Sequence, residues 1–120
     1  MLINLSNHPS CMWPEEQLEA AAVYGETVDI PFPSVNPFAA ESDVAEAAEM
    51  LLEKIIKAEP AAVLCQGEFS LAYAVISRLI KRGVTVIAAC SERRVQEEKL
   101  DNGEIEKVCL YKFIKFRRYT

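Results

Sequence analysis

The chain has 120 residues, of which 51% are hydrophobic and 26% charged, with a net charge of −5. One domain of this size can bury a core without disulfide or metal staples, and its overall acidity disfavours broad, sequence-independent binding of duplex nucleic acid. No apolar run approaches the roughly 18–20 residues of a membrane-spanning helix. The start of the chain shows no basic and apolar leader pattern, so a cytoplasmic location is expected.

A short apolar strand is expected over Leu2–Leu5. It runs into Ser6-Asn7-His8-Pro9-Ser10, a polar loop that carries the chain's single histidine. Pro14 suits the first helical position, where its missing N–H costs nothing, and Glu15 and Glu16 suit the positive end of the helix dipole. That helix should run to about Tyr24 and stop at Gly25. Thr27–Ile30 reads as a second strand, followed by a stiff loop over Pro31–Pro37. After Ser42 as N-cap, Val44, Ala47, Ala48, Leu51, Leu52, Ile55 and Ile56 recur at the spacing of one helical face. Pro60 closes this helix, and Ala61–Cys65 is a short core strand.

Gln66-Gly67-Glu68 then leads into a third helix, about Phe69 to Arg82, which is apolar on nearly every side. One face must cover the sheet, and the rest calls for a partner, most simply a second copy of the chain. Val84–Cys90 is the fourth strand, followed by the cluster Ser91-Glu92-Arg93-Arg94. Beyond about residue 95 the pattern changes. Asp101-Asn102-Gly103 is a hairpin turn signal, and Glu104–Tyr119 reads as a strand, with Phe113 and Lys115 facing opposite to Ile114 and Phe116. Strands alternating with helices imply a mostly parallel sheet with right-handed crossovers. The expectation is one α/β, Rossmann-like domain over 1–120, with a core to about residue 94 and a C-terminal β-hairpin over about 95–120.

Charge is divided unevenly. Residues 1–60 hold 11 acids and 2 bases, whereas residues 61–120 hold 7 acids and 11 bases. A basic second half in an acidic chain suits a small anionic ligand, although a solvated strand face would give the same tail. Of the four cysteines, no two have metal-ligand spacing. Cys65, Cys90 and Cys109 fall in apolar strand patterns, while Cys11 adjoins the histidine loop. No cofactor fingerprint and no metal-ligand set is present.

Three polar clusters therefore follow three strands expected to be parallel, and open α/β sheets bind ligands at that carboxyl edge. His8 can serve as general acid or base, or as a cation beside a phosphate. Asn7 and Ser10 flank it. Gly67 can let a ligand approach the backbone, and the N–H groups at the start of the following helix can hold phosphate. Glu68 would either cap that helix or accept a hydrogen bond from a base or ribose. Arg93 and Arg94 offer forked, permanently charged donors to phosphate, or pair with Glu97 or Glu98.

Taken together, Asn4-Leu5-Ser6-Asn7-His8-Pro9-Ser10, Trp13 to Gln17, Asp29-Ile30-Pro31, Gln66-Gly67-Glu68-Phe69 and Ser91-Glu92-Arg93 resemble a known set. The chain is similar to the small stand-alone CRISPR-associated proteins with a CARF-like Rossmann fold, some of which are ring nucleases. Ser91-Glu92-Arg93 stands where that family would have threonines before the arginine. The resemblance implies a homodimer that binds a cyclic oligoadenylate, cyclic tetra-adenylate in the first instance, across its two-fold axis. It also implies metal-independent cleavage to products with a 2′,3′-cyclic phosphate, with no cofactor. In that scheme His8 and Arg93 are catalytic, and Asn7, Ser10, Gln66, Gly67, Glu68, Phe69, Ser91 and Arg94 bind the ligand. The competing expectations are a sensor or sponge of the same fold that binds without cutting, and a protein-interaction subunit.

Overall fold

A computed structural model describes residues 1–120. Five strands and three α-helices follow one another as β1 (Leu2–Ser6), α1 (Glu15–Ala22), β2 (Thr27–Pro31), α2 (Glu41–Ala58), β3 (Ala62–Cys65), α3 (Phe69–Lys81), β4 (Val86–Lys99) and β5 (Ile105–Arg118). A 3-10 turn at Ser10–Met12 precedes α1. The strands form one sheet in the order β2-β1-β3-β4-β5, with β5 alone antiparallel. This is the Rossmann-like α/β architecture with a terminal hairpin that the strand and helix alternation predicts.

The alternating burial of a sheet covered on both faces explains the two cores. On one face Ile3, Leu5, Val63, Cys65 and Val86 pack against Leu51, Leu52 and Ile55 of α2 and Leu71, Val75 and Leu79 of α3. On the other, Leu2, Ala62, Leu64 and Ile87 meet Ala21 of α1 and Trp13, which lies just before that helix. Burying β1 and β3 on both sides requires the near-continuous apolar runs seen in their sequences. The chain passes from β1 to β2 on one side, then returns across β1 to β3. Direction therefore switches between β1 and β3, and the carboxyl ends of those strands open a crevice there.

Two local expectations are corrected. Helix α2 begins at Glu41, not after Ser42, because the Asp43 carboxylate accepts a hydrogen bond from the Ala40 N–H at 2.9 Å and closes the first turn. The fourth strand does not end at Cys90. It continues through Ser91–Arg94 to Lys99, paired with β5 along its length. The polar run carries no strand periodicity of its own; its hydrogen bonds come from the antiparallel partner. The hairpin therefore begins within the core sheet, where Ile87 pairs with Arg118, and not near residue 95.

A bulge interrupts this ladder: Cys90 pairs with Lys115 but Ser91 pairs with Phe113, leaving Ile114 as the extra residue. Phe113 and Phe116 consequently lie on the same face, with ring centroids 5.0 Å apart, and not on opposite faces as plain alternation requires. Trp13 extends this aromatic cluster, 6.3 Å from Phe116. The turn closes at Gly103, whose φ of 85° suits glycine. Beyond the core the two strands project as a bare ribbon. The longest dimension is 56 Å and the radius of gyration 17.3 Å, against about 14 Å for a compact chain of this length.

Candidate functional site

The loop after β1 is built from the strand's own polar side chains. Asn4 is 1% exposed, buried within an otherwise apolar strand. Its Nδ2 donates to the His8 carbonyl and to Asp29 Oδ1, both at 2.9 Å, while its Oδ1 accepts from Ser6 Oγ at 2.7 Å. Ser6 Oγ also accepts from the His8 N–H at 3.2 Å. Trp13 Nε1 donates to the His8 carbonyl at 3.0 Å. The His8 backbone is thus held at both its N–H and its C=O, leaving the imidazole exposed at the crevice. Asp29, in the middle of β2, accepts from the Ser10 N–H and Oγ and fixes the far side of the loop.

The crevice at the switch point has a volume of about 630 Å³, within the range of small-molecule clefts. His8, Gln66 and Ser91 all line it, so the loops after β1 and β3 meet there with a residue from within β4, not with a third strand end. Trp13, Gln17 and Tyr111 complete its walls. These three lie outside the site set drawn from the sequence. Gln17 sits in a Glu-rich helix start that reads as solvated, and Tyr111 reaches the crevice only through the phase change at Ile114.

Gln66 serves the fold as well as the crevice. Its Oε1 accepts a hydrogen bond from the Ala89 N–H at 3.0 Å, continuing the β3–β4 connection past the end of β3. That bond fixes the amide orientation and leaves Nε2 free to donate. Gly67 has a packing reason: a Cβ there would lie 2.5 Å from the Phe32 ring. Glu68 takes the helix-cap alternative. Its carboxylate accepts from the N–H groups of Ser70 (3.0 Å) and Leu71 (2.8 Å) and from Ser70 Oγ. These bonds, that from Leu71 first, hold its pKa below the ordinary carboxylate range. The start of α3 is therefore already occupied by an anion of the chain itself, which leaves those N–H groups unavailable to a phosphate.

The remaining candidates are distributed. Ser91, Arg93, Tyr111 and Phe113 share one face of the ribbon, since Ser91 pairs with Phe113 and Arg93 with Tyr111. Arg93, expected as catalytic, does not itself line the crevice; it stands on the ribbon face that carries Ser91 and Tyr111, where its Nε donates to Cys109 Sγ at 2.9 Å and no carboxylate pairs with it. Arg94 lies on the opposite face, 3.5 Å from Glu92 and not paired with Glu97 or Glu98. Asn7 is exposed and does not line the crevice. Phe69 is 91% exposed and lies along a separate apolar groove with Tyr73, Ile76 and Ile80 of α3 and Tyr119. Cys109, expected as a core residue, is exposed on the ribbon, whereas burial pushes the Cys65 thiol up to about 12. No three His, Cys, Asp or Glu side chains gather as a metal site. No helix is long and apolar enough to cross a membrane.

The fold and crevice define a Rossmann-like α/β protein with its polar groups collected at the switch point. The chain belongs to the family described as the uncharacterized protein MJ1673 family, whose family model matches residues 1–117. A search of curated proteins found no match.

Proposed function

We propose that the crevice binds a cyclic oligoadenylate, cyclic tetra-adenylate in the first instance, and that the protein linearises it as a metal-independent ring nuclease of CRISPR antiviral signalling in the cytoplasm. The observation that carries this reading is the His8 imidazole, presented at the β1/β3 switch point on a backbone anchored from both sides. Arg93 supports it as a guanidinium without a carboxylate partner, on the ribbon face that carries the crevice residues Ser91 and Tyr111.

In the reaction a ribose 2′-oxygen attacks the adjacent phosphorus, and the bond from phosphorus to the 5′-oxygen breaks. The 2′-hydroxyl proton leaves to a base, and the 5′-oxygen takes up a proton. The products carry a 2′,3′-cyclic phosphate and a 5′-hydroxyl. His8 acts as the acid or the base, and Arg93 offsets the charge gathering on the phosphoryl oxygens. Gln66 and Ser91 supply neutral hydrogen-bonding groups that position the strand. Two copies share the ring. The exposed Phe69, Tyr73 (75%) and Ile80 on α3 provide an apolar surface for pairing.

The test is incubation with cyclic tetra-adenylate in EDTA, with products separated chromatographically. His8→Ala should lower turnover by about 100-fold or more with an unchanged melting temperature. A wild-type protein that binds the ring tightly and leaves it intact is a sponge and not a nuclease. If no ring binds at all, the nucleotide reading falls and the interaction-subunit reading gains.

A further inference from the structure

Gln17 is a glutamine on α1 that is 9% exposed, yet it makes no side-chain hydrogen bond within the chain. Its carboxamide borders the crevice. The amide nitrogen and oxygen are not sealed off from solvent, so both donor and acceptor are open to whatever fills the crevice. Around it the walls are aromatic. Trp13 forms the floor, its Nε1 committed to the His8 carbonyl, and Tyr111, 73% exposed, stands on the ribbon.

A carboxamide beside aromatic surface is the chemistry that reads a nucleobase. Its oxygen accepts from an exocyclic amino group while its N–H donates to the neighbouring ring nitrogen. An exposed aromatic ring provides a stacking platform. We infer that the crevice contains a base subsite for adenine, in which Gln17 reads the 6-amino group and its adjacent ring nitrogen and Tyr111 stacks on the base. This rests on the crevice being a nucleotide site, and it adds the residues that choose the base. His8 and Arg93, in contrast, face the phosphate and are indifferent to it.

The probes are adenosine 5′-monophosphate, purine riboside 5′-monophosphate, which lacks the 6-amino group, and cyclic tetra-adenylate. Binding is measured by calorimetry up to millimolar ligand and followed by emission of Trp13, the only tryptophan. Wild type should bind adenosine monophosphate about tenfold or more tightly than the purine riboside analogue. Gln17→Leu should erase that preference. Tyr111→Ala should weaken both mononucleotides by about tenfold, and Tyr111→Phe should restore them. Unchanged melting temperatures and Trp13 emission in the free variants establish that each is folded.

A preference that survives in Gln17→Leu, or that is absent from wild type, overturns the assignment even if cyclic tetra-adenylate binds. Absence of mononucleotide binding overturns it too. If the mononucleotide preference behaves as expected but cyclic tetra-adenylate does not bind, the base subsite stands and the cyclic-ligand reading fails.

Discussion

At the scale of single residues, Asn4 does more for the site than its place in a strand suggests. The segment Leu2–Leu5 reads as an apolar strand, and nothing in its pattern shows that Asn4 turns inward to bind both Asp29 and the His8 carbonyl. The partners are brought together by sheet pairing of β1 with β2, which sets Asn4 opposite Asp29. His8 itself was legible as a polar residue following a strand. What holds it was not, because the contacts belong to tertiary structure. Asn4→Ala should destabilise the protein by about 1–3 kcal/mol, the cost of stranding buried polar partners. Urea denaturation provides the check, and an unchanged midpoint would mean that Ser6 and Trp13 suffice to hold the loop.

Among the elements, α3 shows how one helix can be divided between roles. Its inner face packs on the sheet through Leu71, Val75 and Leu79, while Phe69 and Tyr73 stay exposed. The nearly all-round apolar pattern was legible, and so was the choice at its start between an anion site and a cap. Only the geometry of the Glu68 carboxylate decides that choice. Its depressed pKa gives the sign of a pH effect. The capping stabilisation is complete above the ordinary carboxylate value and is lost as pH falls through the lower folded-state value. The melting-temperature gap between wild type and Glu68→Ala should therefore be constant at neutral pH and shrink in acid. A gap independent of pH would show that the charge of the cap contributes nothing.

For the molecule as a whole, the departure from compactness comes from the ribbon. The core was legible because Pro14, Gly25, Pro60 and Gly83 punctuate alternating apolar patterns. The length of β4 was not, since Ser91–Lys99 is mostly polar and is strand only by virtue of β5. The outer ribbon contributes little to the core. Replacing residues 96–108 with Asn-Gly should leave unfolding free energy within about 1 kcal/mol of wild type. A larger loss in chemical denaturation would mean that the outer ribbon supports the core after all. Ile114 gives the ribbon a further significance. Had β5 run on without its extra residue being set aside, Lys112 would stand opposite Arg93 where Tyr111 now does. One residue left out of step therefore decides the crevice wall's chemistry: a phenol ring able to lie against a flat ligand, where an ammonium would have met only its charge.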